Sequence, residues 1–397
     1  MEKFSENEIA YIIHKKETTD STWMDITKSY NKKFRKDKTF ESIKKCYQRN
    51  KNYFHQDDNH IRTLKSIYRT KKTNSYTAKE NRVILDQLVK QEDVVESIEN
   101  TIKKISLTKY KIPKKTKTKD KKNMTLELLF SDVHYGKYVD SIEGNFVDCE
   151  EIRKRVRKIA DSVIKEIERE SKSFNVERLI LAMIGDIIEN ADMHEMESQR
   201  GCEFGTSRQI DEAIESIWFD LLLPLAQTGI KIDIPCITGN HDRNGKSKTY
   251  QNPGEENFTY IIYKSLNRLS IQSGLTNVTF SINKKLYTDI EVYGNTIVYE
   301  HGDELKNLNR DTMSNLMSKR QTQIGKVVNF YRVGHWHEPI SYGQGRMMVN
   351  GSVPGQDGYA DSKAFHSDAL QILNYYVETK NRSTCFYKSF PIYLQTK

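Results

Sequence analysis

Apolar residues in the first fifty positions recur at helical spacing. Ile9, Ile12 and Ile13 follow Ser5 and Glu8, the Ser-x-x-Glu pattern of a capped helix start. Trp23, Ile26, Tyr30 and Phe34 stand at steps of three, four and four, which is one buried stripe. Arg35 to Thr39 supplies a turn, and Phe40, Ile43 and Tyr47 give a third helix its inner face. Three short helices so spaced predict an all-α helix-turn-helix module over residues 1–55. A helical connector is expected over 56–108, where Ile84, Leu88, Gln91, Val95, Ile98, Ile102 and Ile105 alternate steps of four and three, a heptad seam within 77–105. Two such helices would pair into a homodimer with Gln91 setting the register, whereas one helix laid against the rest of the chain needs the same stripe. Residues 109–123 are Lys-rich, lack apolar periodicity and read as an extended linker.

From Met124 the pattern alternates as a layered α/β domain requires, so residues 124–397 read as a catalytic domain. Leu126 to Phe130 form a strand running into Asp132. Ile152, Val156, Ile159, Val163 and Ile167 line one helix face, and Leu179 to Ile184 form a strand ending at Gly185-Asp186. A helix over Ile210 to Leu225 follows, then a strand from Ile232 to Ile237 that leads to Gly239, and a helix near Asn257 to Leu269. Beyond it the runs shorten into strands at Val278 to Ile282, Tyr287 to Val292, Thr296 to Tyr299, Val327 to Val333, Met347 to Val349 and Ala369 to Tyr376.

Charge sharpens the division. The first 122 residues hold 31 Lys and Arg against 17 Asp and Glu, and the remainder 32 against 37, so the net +9 is concentrated before the catalytic domain. That asymmetry fits a module that meets a polyanion. The outer face of the third helix offers Lys44, Lys45, Gln48, Arg49, Lys51 and Asn52, a set suited to phosphates and base edges of DNA in a major groove. A helical cap packed on the catalytic domain would carry the same stripes. Five scattered cysteines, none in a C-x-x-C spacing, exclude a disulfide framework and a thiolate zinc site. With no apolar run of about 18 residues and no signal segment, the expectation is a cytoplasmic protein with no membrane partner. Abundant Lys, Asn, Ile and Tyr suit an A·T-rich bacterial or viral genome.

Five short segments carry candidate chemistry: Asp132-Val133-His134, Gly185-Asp186, Gly239-Asn240-His241-Asp242, His301-Gly302 and Gly334-His335-Trp336-His337. The first three follow apolar runs, so their side chains emerge at strand ends where loops converge. Carboxylate, imidazole and amide donors suit two divalent metal ions, manganese first and iron or zinc next; one bridging carboxylate holds a pair about 3.5–4 Å apart. Arg243, Lys246 and Lys248 are candidates for flanking phosphates.

Over residues 125–390 these motifs resemble, residue by residue, those of the calcineurin-like metallophosphoesterase superfamily. The resemblance implies a four-layer αββα sandwich with the metals at one edge. It implies Asp132, His134, Asp186 and His337 around one ion and Asp186, Asn240, His301 and His335 around the other, with Asp186 bridging. His241 would then face the substrate, stabilising the transition state and protonating the leaving oxygen, with Glu189 or Asp242 as its orienting acceptor. The Gly-Asn-His-Asp motif and the attached basic part look like SbcD-type DNA-repair nuclease subunits and their bacteriophage-encoded relatives, although Glu189 stands where such nucleases often carry a second His. Trp23, Tyr30-Asn31 and Ser42-Ile43-Lys44 to Arg49 loosely resemble Myb-like or SANT-type domains. The expected function is a phosphodiesterase that hydrolyses DNA by two-metal activation of a bridging water. Its rivals are a phosphomonoesterase or cyclic-nucleotide phosphodiesterase, and a DNA-binding regulator with a vestigial metal site.

Overall fold

The computed structural model describes residues 4–19, 21–55, 109–142, 145–193, 201–245, 253–362, 368–379 and 385–395. The heptad seam expected within 77–105 lies outside them, as do Lys246 and Lys248. The chain divides into two compact units, Met1–Val89 and Lys90–Lys397.

In the first unit α1 (Glu6–Thr18), α2 (Trp23–Phe34) and α3 (Phe40–His55) pack around Tyr11, Ile12, Ile26, Tyr30, Ile43 and Cys46. The Ser5 N–H and hydroxyl donate to the Glu8 carboxylate at 2.8 and 3.1 Å, so the predicted helix start forms. Glu8 is buried and also receives the Tyr30 hydroxyl and the Lys36 ammonium, each at 2.9 Å, which ties α1 to the end of α2. Burial alone would raise its pKa, but these partners hold the carboxyl down at about 2. Left-handed Arg35 ends α2, and the Asn31 side chain spans the turn, donating to the Lys38 carbonyl and accepting from its N–H. Phe40 corrects the sequence reading: it is 42% exposed at the start of α3, and Cys46 fills the inward position one turn after Ile43.

The second unit has thirteen strands among its described residues: β1 (Asn123–Phe130), β2 (Val139–Ile142), β3 (Asn145–Val147), β4 (Asn175–Ile184), β5 (Lys231–Ile237), β6 (Val278–Ile282), β7 (Tyr287–Val292), β8 (Asn295–Glu300), β9 (Val328–Val333), β10 (Ile340–Tyr342), β11 (Met347–Val349), β12 (Leu370–Val377) and β13 (Phe386–Tyr393). One sheet runs β13-β12-β1-β4-β5-β6 and a second β10-β11-β9-β8-β7, while β2 and β3 pair as a separate hairpin. Alternate residues of β1 and β4 serve different cores. Leu126, Leu128, Phe130, Leu179, Leu181 and Met183 face the helices, whereas Leu129, Ile180, Ala182 and Ile184 face the second sheet. A strand buried on both faces reads as a continuous apolar run, as these do.

The helical layer is α4 (Cys149–Glu170), α5 (Thr206–Ser216, continued by π-helical Ile217–Leu222 and by Leu223–Ala226) and α6 (Phe258–Gln272). On the far side, α7 (Arg310–Ile324) buries Met313 and Met317 against Val298, Tyr331, Val333 and Val349 of the second sheet. The layers are therefore helix, sheet, sheet, helix. Fully burying each such Leu, Ile or Met contributes about 1.5–3 kcal/mol. Between the sheets lies one buried ion pair: Arg332 Nε donates to Glu127 at 3.0 Å, and Tyr299, Tyr376 and Asn374 each donate to the same carboxylate at 2.7 Å.

Residues 109–122 contain neither helix nor strand, as the charge pattern implied, but they are fixed to the second unit. Tyr110 N–H donates to the Ser273 carbonyl (2.9 Å), Thr118 exchanges hydrogen bonds with the Asn175 side chain, and Tyr110 and Ile112 pack on the core. Among the described residues no helix is long and apolar enough to cross a membrane.

Strand direction places the chemistry. β1, β4 and β5 are mutually parallel, as are β8 and β9, so Asp132, Asp186, Asn240, His301 and His335 all follow the C-terminal ends of strands.

Candidate metal centre

Five of the seven candidate ligands sit in left-handed backbone: Asp132 (φ 52°), His134 (φ 53°), Asp186 (φ 49°), His335 (φ 69°) and His337 (φ 57°). Such conformations cost of order 1–3 kcal/mol each and persist where the surroundings over-determine them. Here the loops hold one another. Asp132 N–H donates to the Gly185 carbonyl, Val133 and His134 N–H donate to the Asp186 carbonyl, and Gly334 N–H donates to His301. Two glycines allow the approach: a Cβ on Gly239 would stand 2.1 Å from Asp186 Oδ1, and one on Gly334 would stand 2.5 Å from Asp132 Oδ2.

Among the described residues the side chains gather into three clusters: Asp132 with His134 and His337, Asp186 with His301 and His335, and His134 with Glu189 and His241. His134 Nε2 lies 3.2 Å from His337 Nε2, which lies 3.4 Å from Asp132 Oδ1. His301 Nε2 lies 3.0 Å from both Asp186 Oδ2 and Asn240 Oδ1. All seven predicted ligands thus take part in these contacts. Asp132, His134, Asp186 and His301 are buried, and His335 and His337 are half-buried.

The donor set fits divalent cations on its own geometry. His301 Nδ1 is 2.8 Å from the Ile184 carbonyl, an acceptor, so that nitrogen carries the proton of a neutral ring and Nε2 presents a lone pair to two further acceptor oxygens. Lone pairs converging in a buried space need a proton or a metal ion among them. Burial opposes charge on His301, yet Asp186 beside it raises its pKa to about 10. Desolvation and the neighbouring His301 push half-buried His335 down to about 4. His134 shows the same arrangement: Nδ1 faces the Glu189 carboxylate at 2.7 Å, leaving Nε2 toward His337. A ligating imidazole whose other nitrogen is held by a carbonyl or carboxylate is the usual second layer of a metal site.

Glu189 meets His241 with its main chain and, at longer range, with its carboxylate, while Asp242 spends its oxygens on the main chain. The acceptor for His241 Nδ1 is the main-chain carbonyl of Glu189 at 2.8 Å, while the Glu189 carboxylate is 3.7 Å from that nitrogen and closer to His134. The path of the loop after Asp186 brings the carbonyl closest to His241 and sets the carboxylate between His241 and His134. Asp242 is fully buried and spends both oxygens on main-chain N–H groups of Gly239, Asp186, Ile187 and Ile188, at 2.7, 2.8, 3.0 and 3.4 Å. Burial and the nearby Asp186 push it up to about 7. It locks two ligand loops together. Arg243, expected to hold phosphate, pairs with Asp303.

Several supporting residues were not singled out from the sequence. Lys137 bridges Glu189 (3.4 Å) and Asp357 (2.6 Å). The Asn190 amide donates to the His241 and Arg243 carbonyls at 2.7 and 2.8 Å. Ser131 Oγ donates to Asp132 at 2.5 Å, and Asn350 donates to Ser131. Except for Ser131 and Asp132, these partners lie far apart in sequence, where spacing gives no sign of them.

On α3 the side chains of Lys44, Lys45, Gln48 and Arg49 are exposed and Ile43 and Cys46 face inward, so the basic set forms an outer face. Lys51 and Asn52 fall on the last turns of that helix, and their side chains lie outside the described ones.

No protein-family model and no curated protein matches the chain. Solved structures similar to it include a Streptococcus pneumoniae protein described as a predicted phosphoesterase, 11% identical over 68% of this chain and 98% of that one, with a TM-score of 0.28. An archaeal phosphodiesterase is 11% identical over 67% and 99%, with a TM-score of 0.31. Wild-type Vps29 of Entamoeba histolytica complexed with zinc is 10% identical over 67% and 99%, with a TM-score of 0.26. At such identities and scores the likeness says nothing of what this chain does, and its chemistry rests on its own converging side chains.

Proposed function

We propose that this chain is a divalent-metal-dependent phosphodiesterase of the calcineurin-like kind that hydrolyses DNA. The observation that carries the reading is the meeting of acceptor atoms from five strand ends, above all His301 Nε2 against Asp186 and Asn240. Asp132, His134 and His337 would hold one ion, and Asn240, His301 and His335 the other, with Asp186 between them. When bound, such a pair supplies Lewis-acid stabilisation of a phosphoryl oxygen and lowers the pKa of a water toward neutrality.

The protein's own contribution is placement and proton handling. Two carboxylates against two dications leave roughly two positive charges, which favours an anionic diester. His241 is held by the Glu189 carbonyl at Nδ1, so donating a proton to the leaving oxygen falls to Nε2. The carboxylate of Glu189 fixes His134 from behind. The basic outer face of α3 supports DNA as the polymer, through phosphate contacts that position the duplex and side chains suited to base edges. Together with the Gly239-Asn240-His241-Asp242 motif, it favours a repair-type nuclease of a bacterium or phage.

Plasmid, single-stranded oligonucleotide and chromogenic diesters assayed with manganese separate the readings. A nuclease cuts at least one of the two DNAs. Hydrolysis of small esters alone would mean a phosphomonoesterase or cyclic-nucleotide enzyme, and a gel shift without cutting would mean a regulator.

A further inference from the structure

Two large aromatic rings stand exposed on the hairpin that follows the Asp132-Val133-His134 segment. Tyr138 is 40% and Phe146 47% exposed, and their centroids are 6.1 Å apart with planes at 85°. Isolated exposed aromatics are ordinary, but these two are presented by a pinned hairpin. Val139 and Val147, the residues next to them, are paired across β2 and β3 and buried in the helix-side core. Asn145 is buried as well, donating to the carbonyls of Pro354 and Gln356 and accepting from Arg155. Tyr138 N–H donates to the Gly201 carbonyl.

The hairpin is also tied to the site. Lys137 N–H donates to the His134 carbonyl, and its ammonium reaches Glu189, the carboxylate behind His134. Tyr138 therefore begins one residue past a side chain that touches the ligand network. The segment 350–359, which receives Asn145, also supplies Val353, whose N–H donates to the Asp132 carbonyl.

We propose that Tyr138 and Phe146 form a stacking platform for an unpaired nucleobase next to the scissile phosphate, so that the substrate is single-stranded DNA or a frayed strand end. This rests on the phosphodiesterase reading above. Bases inside an intact duplex are already stacked and have no face to offer these rings, whereas an unpaired base of any identity does. The platform lends affinity without sequence preference. It complements the charge of the metals, which holds only the phosphate.

The test is a cycle in protein and substrate, using the full chain with manganese and a short single-stranded oligonucleotide. One abasic nucleotide is placed in turn at each position flanking the cut. Both rings are at the surface, so Y138A/F146A should melt at the wild-type temperature. Its KM for the intact oligonucleotide should rise roughly tenfold or more, and Y138F should stay near wild type. Wild type should lose a similar factor at one abasic position, and Y138A/F146A should lose nothing further there. An unchanged KM in Y138A/F146A, an abasic penalty that persists in it, or wild-type cleavage of blunt duplex as efficient as of single strand would overturn the platform and leave the phosphodiesterase standing. Hydrolysis of chromogenic diesters with no cleavage of any DNA would overturn the platform together with the nucleic-acid reading.

Discussion

His301 Nε2 lies 3.0 Å from Asp186 Oδ2, while the same ring's Nδ1 is 2.8 Å from the Ile184 carbonyl oxygen. One neutral imidazole has a single proton for these acceptors, so Nε2 needs either a second proton or a metal ion that displaces it. A metal ion in that place stabilises the folded chain in proportion to its occupancy, by about 2.7 kcal/mol at a hundredfold excess over Kd. Wild-type protein should therefore melt higher in manganese than in EDTA, and His301→Ala should lose most of that increment. Equal melting temperatures with and without metal would count against the site.

Glu189→Gln should weaken metal binding and turnover by about 10- to 100-fold, because it removes the carboxylate behind His134. The His241 ring keeps its main-chain acceptor, so its orientation should survive. Calorimetric titration with manganese checks this, and an affinity equal to wild type would refute it.

Asp242→Ala should act through the fold. It strands buried main-chain N–H groups on two ligand loops, at about 1–3 kcal/mol each. Urea denaturation of the metal-free protein should show the loss, and unchanged stability with lost turnover would instead return Asp242 to a catalytic role.

The Arg332 and Glu127 pair makes a second stability prediction. Arg332→Met leaves a carboxylate buried between the sheets and should cost about 3–5 kcal/mol, measured in the same way. A neutral result would show that the Glu127 network closes without its cation.

Glu8 governs acid behaviour of the first unit. Its carboxyl is held at about 2, below the ordinary 4.5, so its contribution is full above about pH 4.5 and fades as pH falls through about 2. Hydrogen exchange in α1 and α2 should be faster in Glu8→Gln than in wild type at neutral pH, with the two converging near pH 2. A difference that widens on acidification would reverse the sign.

Much of this was legible in the chain because strand ends and ligands coincide. The apolar runs before Asp132, Asp186 and Asn240 are strands buried on both faces, and the resemblance carried by the five motifs named the Asp and His residues that meet at their ends. Partners set by loop path were not legible. Whether His241 meets the carboxylate of Glu189 or its carbonyl depends on a left-handed turn at Asp186 and Asn190 that no periodicity reveals. Asp242 looked catalytic because it adjoins His241, yet neighbours in sequence point apart at a loop. Phe40 looked inward on spacing alone, since a helix's first residue has no preceding turn to cover it. The Lys-rich stretch looked solvated because hydrogen bonds from its backbone to Asn175 and Ser273 leave no trace in composition.

The most direct measurement is a count of manganese ions bound per chain by equilibrium dialysis, on wild type and Asp186→Asn, with diester hydrolysis followed in the same samples. The account predicts two ions for wild type, fewer for Asp186→Asn, and turnover that rises with occupancy and collapses in the variant. Full hydrolysis by metal-stripped wild type, or the same ion count in both proteins, would contradict it.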